Sequence, residues 1–231
     1  MPNKLLQLIE QIADIARLPV ARLQFHLELN PRDVAKMHQY FTKPHPKYKI
    51  FGNKTVGAAL VNLSDFRNPD EYLHSLKGAQ SAMRHARKAK SKGYVVTEID
   101  RNSYIDDIYE INTSTKTRQG LPMDPDYLEK KYHYTNDPNF IYFGVLNHLG
   151  KLMGYGDLGF YGNFAVFNRI IGVRNNDGIM HLLLTEIICK MIEIGHYQYL
   201  MYDTYFGASP GLKNFKKVLG FQPYRAKYSI R

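Results

Sequence analysis

Residues 174–178, Arg-Asn-Asn-Asp-Gly, form a polar loop that could bind an anion. We predict that the loop joins a buried strand to a buried helix. Backbone N–H groups at the start of a helix attract anions, while Arg174 would add a positive charge and Gly178 would allow close approach. Asp177 permits two interpretations, because its carboxylate could instead cap the helix and satisfy the same N–H groups.

Two further candidates, Asp203 and Tyr205, lie at the end of the predicted strand Tyr197–Asp203. Open α/β sheets bind ligands beyond the carboxyl ends of their strands, and carboxylates and phenols can transfer protons there. Most of the 18 tyrosines have a simpler explanation, which is packing in the core with a polar tip.

A third pattern, Gly-Ala-Ser-Pro-Gly at residues 207–211, matches the G-x-S-x-G motif of serine hydrolases. The oxyanion hole of such enzymes uses the N–H of the residue after the serine, and Pro210 has none. Residues 210–231 also contain no Asp, Glu or His to complete a triad. We therefore exclude this class of hydrolase.

The remaining reactive side chains do not indicate a metal or redox site. A single cysteine, Cys189, excludes an internal disulfide and a CxxC zinc site, and its apolar neighbours favour a place in the core. The nine histidines form no HExxH motif and no pair at i, i+4.

The positive charge is concentrated in two segments. The chain has 31 Lys+Arg against 21 Asp+Glu, yet residues 77–97 and 204–231 contain no acidic residue at all. Such local charge predicts an anionic partner, for example a nucleotide-like cofactor, a nucleic acid or a lipid headgroup.

Composition also bounds the location of the protein. Hydrophobic residues at 44% and charged residues at 23% are typical of a globular domain. No apolar run is long enough to span a membrane, and Glu10 and Asp14 interrupt the apolar residues that open the sequence. We therefore expect a cytoplasmic protein without a signal peptide or membrane span.

Hydrophobic periodicity and breaker residues predict alternating elements. In the first part of the chain we expect a helix starting at Asn30–Pro31, a hairpin of Tyr48–Phe51 with Thr55–Leu63, and one long basic helix over Pro69–Lys92. The predicted strands that follow are Tyr94–Ile99, Phe140–Leu146, Leu152–Phe160, Phe164–Val173, Tyr197–Asp203 and Phe221–Ile230, with helices at Ile179–Ile194 and Leu212–Leu219.

The order of elements from residue 93 to residue 231 resembles that of the GNAT acyltransferase superfamily. The segments DTYFGASPGLKNFKKVLGFQPYR (203–225), MRHARKAKSKGYVV (83–96) and NDGIMHLLLTEIICKMIEIGHYQYLMYD (176–203) are similar to its Fem-like branch. The resemblance implies an α/β fold with a mixed, mostly antiparallel central sheet flanked by helices. It also implies transfer of an acyl or aminoacyl group to an amine.

The resemblance further implies roles for particular residues. Lys216 occupies a position where coenzyme A users often have a tyrosine acid and Fem-like enzymes tend to have lysine, so it would stabilise the oxyanion or the leaving group. Asp203 would orient or deprotonate the acceptor, with Tyr205 as an alternative acid. Backbone N–H groups near Ile171–Val173 would polarise the donor carbonyl.

The donor would be a coenzyme A thioester, acetyl or longer, or an aminoacyl-tRNA. Arg174, Lys213 and Lys217 would hold its phosphates. The full set of residues expected to bind the donor is Ile171, Gly172, Val173, Arg174, Asn175, Asn176, Asp177, Gly178, Ile179, Lys213, Asn214 and Lys217. A tRNA or other nucleic acid would also contact the basic helix through Arg84, Arg87, Lys88, Lys90 and Lys92. The acceptor would be a small-molecule or peptide amine.

Two features depart from the family pattern. The usual phosphate loop, Arg/Gln-x-x-Gly-x-Gly/Ala, is not intact, because only Gly178 remains after Arg174. The chain is also too short for two tandem GNAT units, so residues 1–92 would be an N-terminal α/β extension or a reduced first unit, and residues 93–231 the transferase core. The altered loop leaves two alternatives open: an inactive GNAT-like module that binds nucleic acid, and an acyltransferase that modifies nucleic-acid bases.

Overall fold

A computed structural model describes residues 15–78, 81–118 and 121–231 of the chain. The two acidic residues that interrupt the opening apolar residues lie outside this described part. Its α-helices are α1 (Pro31–Thr42), α2 (Pro69–Ser75), α3 (Ala82–Ser91), α4 (Ile105–Thr113), α5 (Pro125–Leu128), α6 (Ile179–Ile194) and α7 (Pro210–Val218). Its strands are β1 (Val20–Phe25), β2 (Val56–Asn62), β3 (Val95–Glu98), β4 (Thr117–Arg118), β5 (Leu121–Pro122), β6 (Phe140–Leu146), β7 (Leu152–Phe160), β8 (Phe164–Gly172), β9 (Tyr199–Thr204) and β10 (Gln222–Ile230).

Local sequence explains where the main helices begin and end. The Asn30 side chain accepts a hydrogen bond from the Asp33 N–H, and Pro31 occupies the first turn of α1. Helix α6 lies between Gly178 and Gly195, which both adopt the left-handed conformation that glycine tolerates best. Both helices were predicted from these residues.

Eight strands form one sheet in the order β1-β10-β2-β9-β8-β7-β6-β3, and β4 pairs with β5 separately. Only the pairs β1–β10 and β8–β9 are parallel, while the other neighbours are antiparallel. The predicted fold class, a mixed and mostly antiparallel sheet flanked by helices, is therefore confirmed.

The two faces of the sheet carry different helices. On one face α2, α3 and α6 cover a large apolar core, which includes Leu158, Phe167 and Leu200. On the other face the core has two parts, one built around Phe25 under α1 and one built around Tyr155 under α4. This second face therefore leaves the middle of the sheet less covered, between α1 and α4.

Strands from the predicted N-terminal extension and from the predicted core share this sheet. Strand β2 pairs with both β9 and β10, and β1 pairs with β10. The division of the chain at residue 92 stays a prediction, because a common sheet neither requires nor excludes a separate origin for the two parts.

Two predicted elements are wrong. The helix expected over Pro69–Lys92 is two helices, α2 and α3, since Leu76 already ends the first and Gly78 adopts a φ of +156°. The strand expected at Tyr48–Phe51 is part of a closed loop, because the His45 N–H donates to the Phe51 carbonyl at 2.9 Å and turns the chain back on itself.

Within the described residues, no helix is both long enough and apolar enough to cross a bilayer.

Candidate active site

The site is built around a gap between the parallel strands β8 and β9. Their pairing covers only Phe164–Val166 against Tyr199–Met201. Beyond those residues each strand continues without the other as a partner, so their carboxyl ends diverge. Diverging parallel strands open a cleft at the carboxyl edge of the sheet, where α/β proteins place ligands.

A β-bulge lies on each side of the gap. In β8 the register against β7 shifts so that Asn168 has no partner residue. In β9 the register against β2 shifts so that Tyr202 and Asp203 together oppose Ala59. Bulges redirect side chains, and here they direct Asn168, Tyr202 and Asp203 to the wall of one cavity.

Two cavities meet at the gap. The large cavity, about 800 Å³, is lined by residues that include Tyr40, Lys54, Asp124, Tyr127 and Asp203. The gap cavity, about 210 Å³, is lined by residues that include Thr117, Gly172, Arg174 and Phe215. Met123, Ile170 and Tyr202 line both cavities, so two bound molecules could meet there.

Asp203 has an unusual backbone and an ion pair. Its φ of +53° makes it the one non-glycine residue with positive φ in the described part of the chain. Such conformations cost energy for a side chain and recur at functional sites. The carboxylate is half exposed and pairs with the ammonium of Lys54, whose side chain is 16% exposed.

Lys216 is fully buried beneath this pair. Its ammonium donates a hydrogen bond to the Thr204 carbonyl at 2.8 Å and lies 4.8 Å from the centre of the Tyr202 ring. Burial lowers the pKa of Lys216 to about 8; Asp203 opposes this shift and Lys54 adds to it. The structure therefore places Lys216 directly behind the residues of the β9 bulge.

Tyr205 points away from both cavities. Its hydroxyl donates to the Phe221 carbonyl at 2.7 Å, and its ring packs against the large core. Burial raises the pKa of Tyr205 to about 12. To act as an acid at the gap, this hydroxyl would first have to give up its hydrogen bond.

The loop at residues 174–178 leaves the start of α6 uncapped by any side chain. Gly178 occupies the capping position with a φ of +85°. The Asp177 carboxylate instead pairs with Lys92 and accepts a hydrogen bond from the Tyr94 hydroxyl at 2.9 Å. The hydrogen bond from Lys92, together with the one from Tyr94, holds the pKa of Asp177 below its ordinary value. Of the two interpretations of Asp177, the structure thus excludes the capping one.

At the end of β8, the Arg174 side chain and one backbone N–H group, that of Gly172, face the gap. Arg174 donates to the Thr117 carbonyl at 2.7 Å and lines the gap cavity. The Val173 N–H donates to Met153 in β7 at 2.9 Å. Because N–H groups alternate along an antiparallel ladder, the N–H of Ile171 also faces β7, while that of Gly172 faces the gap.

A third cavity lies between the loop and α3. This loop cavity, about 600 Å³, is lined by Arg84, His85, Lys88, Asn176, Ile179 and His181, among others. The rings of His85 and His181 stack with centres 4.4 Å apart, and burial lowers the pKa of His181 to about 4, with His85 adding to the shift. Met180 and Phe215 line both the loop cavity and the gap cavity, so these two cavities adjoin each other there.

The basic residues of α3 are largely used within the chain. Lys88 donates to the Asn176 carbonyl at 2.6 Å, Lys90 pairs with Glu186 at 2.6 Å, and Lys92 pairs with Asp177. Arg84 and Arg87 are exposed on the same helix. Three of the five basic residues that predicted a nucleic-acid partner are therefore engaged in contacts within the chain.

The residues of the last helix, α7, that were predicted to bind the donor do not lie beside the loop. Asn214 and Lys217 line a separate cavity of about 500 Å³ beside Asn62 and Lys77, and Lys213 is exposed. The structure thus brings together Arg174, Gly172 and the start of α6. Lys213, Asn214 and Lys217 lie on another surface of α7.

Comparisons with known structures identify the fold. No protein-family model matches the chain, and no curated protein does. The crystal structure of FemX superposes with a TM-score of 0.57 and 14% identity, over 84% of this chain and 66% of that one. The chain therefore has a Fem-like fold.

Two other solved structures are also similar to this chain. A conserved protein of unknown function from Bacteroides thetaiotaomicron superposes with a TM-score of 0.52 and 16% identity, over 72% of this chain and 56% of that one. The C-terminal domain of a putative lysylphosphatidylglycerol synthetase from Agrobacterium fabrum has a TM-score of 0.45 and 14% identity, over 74% of this chain and 58% of that one. The chain spans less than two thirds of each of these structures.

Several residues of the site were missed by the sequence analysis. Lys54, Tyr40 and Asn168 line the large cavity but belong to no recognisable motif. Asp124 was not predicted as a site residue either; it caps α5, since it accepts from the Asp126 N–H at 3.0 Å, and it also lines the large cavity. The Gly52-Asn53 turn in the sequence could have pointed to Lys54, because that turn places Lys54 just before strand β2 of the sheet.

Within the described residues, no group of three or more His, Cys, Asp or Glu side chains is placed to hold a metal ion.

Proposed function

We propose that this protein transfers an acyl or aminoacyl group to an amine across the gap between β8 and β9. The observation that carries the proposal is the meeting of two cavities at Met123, Ile170 and Tyr202, with Asp203 in the wall of the larger one. A transferase must bring a donor and an acceptor together at one point while keeping them on separate paths. The gap supplies that point.

The donor carbonyl would lie in the gap cavity. There the Gly172 N–H is directed to the opening between the strands and would donate to the carbonyl oxygen as negative charge develops. A Cβ on residue 172 would lie 2.5 Å from the Met180 sulfur, so any larger residue here would force the Met180 side chain to shift. The acceptor amine would enter through the large cavity, beside Asp203.

The proton balance of the reaction needs one base. The amine nitrogen attacks the carbonyl carbon, the C–S or C–O bond to the donor breaks, and Asp203 accepts the proton that the nitrogen loses. That proton then passes to the leaving thiolate or ribose oxygen. Lys54 would hold the Asp203 carboxylate in place until the amine arrives.

We assign Lys216 a positioning role. Its ammonium binds the carbonyl of the residue that follows Asp203, so it would fix the bulge that presents the carboxylate. The oxyanion role expected from the family resemblance would require the buried ammonium to reach the gap. Tyr205 would likewise have to break its bond to Phe221, so Asp203 is the better-placed proton carrier.

Two donors fit the loop cavity. Its Arg84 and Lys88, with the uncapped start of α6, suit the phosphates of either a coenzyme A thioester or the end of an aminoacyl-tRNA. Coenzyme A has few phosphates, whereas tRNA has many. Transfer from tRNA should therefore weaken steeply as salt rises, and transfer from coenzyme A only mildly.

The test offers acetyl-coenzyme A and a mixture of aminoacyl-tRNAs, each with labelled acyl groups, to the protein together with a panel of amines. We expect one donor to yield a labelled amide, with the Asp203→Asn variant inactive and the Asp70→Asn variant, changed on the exposed surface of α2, fully active. If neither donor labels any amine, the proposal is wrong.

A nucleic-acid-binding role is the second candidate, favoured by the exposure of Arg84 and Arg87 on one turn of α3. A non-enzymatic module of this kind predicts RNA binding that survives Lys216→Ala and is lost in the double variant Arg84→Glu/Arg87→Glu. Transfer activity that depends on Asp203 would reject the non-enzymatic form of this candidate.

A further inference from the structure

A basic loop lies beside the large cavity, and all but its last residue have no role in the proposed chemistry. This lysine loop, residues 43–54, contains Lys43, Lys47, Lys49 and Lys54 and no acidic residue. Of the four, only Lys54 is committed to the site, through its ion pair with Asp203. The other three side chains are exposed.

Internal hydrogen bonds hold the lysine loop in one shape. The Asn53 N–H donates to the Lys43 carbonyl at 2.7 Å, and the His45 imidazole accepts from the N–H groups of Lys47 and Tyr48 at 3.2 and 3.1 Å. These bonds close the loop on itself, and its tip exposes Tyr48, Lys49 and Ile50.

Four aromatic rings support the tip from below. The rings of His45, Tyr48, Phe51 and Phe206 lie with centres 5.1 to 5.8 Å apart. The four rings pack against one another, and Tyr48 and Phe206 keep roughly a third of their surface exposed. Above them Ile50 is 92% exposed, between Lys49 and the ring of Phe51.

A rigid loop that exposes an isoleucine among lysines matches the surface of an anionic bilayer. The lysines would lie among the headgroups, Tyr48 at the interface and Ile50 just below it, where apolar atoms leave water. We propose that the lysine loop docks this protein on anionic lipid. The proposal does not depend on the transferase reaction.

Single-stranded RNA is the alternative partner, and the loop suits it less well. Isoleucine has no hydrogen-bonding group and no π-face for a base to stack on. The loop also contains no arginine, which is the residue best suited to bidentate phosphate contacts. An acidic protein partner would use the lysines but would not explain an isoleucine at the tip.

Two measurements test the proposal. The chain contains no tryptophan, so an Ile50→Trp variant reports on the tip alone. With vesicles of about three parts phosphatidylcholine to one part phosphatidylglycerol, its fluorescence should shift to shorter wavelength, and with pure phosphatidylcholine it should not. Tryptophan at the exposed turn residue Leu149, in the control Leu149→Trp, should show no shift with either.

The second measurement is flotation of the otherwise unchanged protein with the same vesicles. The triple variant Lys43→Gln/Lys47→Gln/Lys49→Gln should bind roughly a hundredfold more weakly, at about fivefold per lysine. Ile50→Ser should lose roughly tenfold. A matched removal of three exposed charges elsewhere, Lys36→Gln/Lys213→Gln/Lys227→Gln, should lose less than either.

Two outcomes with vesicles would overturn the proposal: no fluorescence shift at residue 50, or equal losses of binding in the loop and control variants. A third would be that the protein binds single-stranded RNA but not vesicles, and that the loop substitutions abolish this RNA binding. Since none of these assays measures acyl transfer, their failure and the failure of the proposed function are distinguishable.

Discussion

Lys54 and Asp203 are 149 residues apart in the sequence, and their side chains form an ion pair in the wall of the large cavity. The pair exists because β2, which follows Lys54, lies between β9 and β10 in the sheet. A residue from the first quarter of the chain thereby contacts the residue that we propose as the base.

Substitution of Asp203 should abolish transfer without unfolding the protein. Asp203→Asn keeps the shape of the side chain and loses the charge, so we expect turnover to fall by about a hundredfold or more. Asp203→Gly should be equally inactive but slightly more stable, because glycine adopts a φ of +53° without strain. Turnover and thermal melting of both variants check this, and an active Asp203→Asn would remove Asp203 from the mechanism.

The ion pair predicts coupling between its two members. Lys54→Met should weaken transfer, because the Asp203 carboxylate loses the group that holds it. In the Asp203→Asn background the same change should have little further effect, and a double-mutant cycle measures the difference. Additive losses in turnover would mean that Lys54 acts independently of Asp203.

The buried lysine predicts a dependence of stability on pH. The pKa of Lys216 is about 8 in the folded protein against an ordinary value of 10.5, so the unfolded chain binds more protons between these values. The cost of burying the charge is therefore full below about pH 8 and is relieved as the pH rises towards 10.5. Relative to Lys216→Met, the free energy of unfolding of the unchanged protein should rise by roughly 2 to 3 kcal/mol between about pH 7 and about pH 10.

Urea unfolding of both proteins at the two pH values measures this difference, and all other titrating groups cancel in the comparison. A constant difference would show that Lys216 keeps an ordinary pKa. Nitrogen-detected NMR of the Lys216 ammonium gives the same pKa directly, and Asp203→Asn should lower it further, because Asp203 supports the charged form.

The start of α6 predicts a sensitivity to any side chain at residue 178. A Cβ there would lie 2.4 Å from the His85 carbonyl oxygen, in addition to the strain of a φ of +85°. We expect Gly178→Ala to lower the free energy of unfolding by about 3 kcal/mol. Gly195→Ala is the matched control, since residue 195 has a φ of +68° but no atom closer than 3.9 Å, and should cost about 1 kcal/mol.

His181 predicts a proton uptake linked to donor binding. Because the pKa of His181 is about 4 instead of the ordinary 6.5, the imidazole is neutral at neutral pH. The free energy of unfolding should therefore fall as the pH drops from about 6.5 to about 4. Phosphates in the loop cavity would favour the charged imidazole, so donor affinity should increase over the same range. NMR titration of His181 with and without donor tests this, and a free-state midpoint near 6.5 would contradict it.

The sequence was most informative where periodicity and breakers agree. The bounds of β6 and β7, and of α6 between its two glycines, match the predictions, because alternation and helical spacing act locally. The strand predicted at Tyr48–Phe51 failed because its two aromatic residues pack on one another and on Phe206, a contact far along the chain.

The site was only partly predictable for a similar reason. Asp203 lies near the end of β9 and Arg174 follows β8, and their positions beside the gap agree with the rule for open sheets. Lys54 and Asn168 depend on which strands are neighbours and on where a bulge interrupts the register, and neither property leaves a local pattern in the sequence. The same limit explains why Asn214 and Lys217 face another cavity, since spacing alone does not say which way α7 is turned.

The order of strands in the sheet has a consequence for how the protein is made. β1 and β2 leave the ribosome well before their partners β9 and β10, which lie far along the chain from them. Until those partners emerge, both strands present unpaired edges, which are the surfaces on which strands of other chains can add. The unpaired edges therefore persist while every residue between β2 and β9 is synthesised, and the ion pair that completes the site can form only after β9 has emerged.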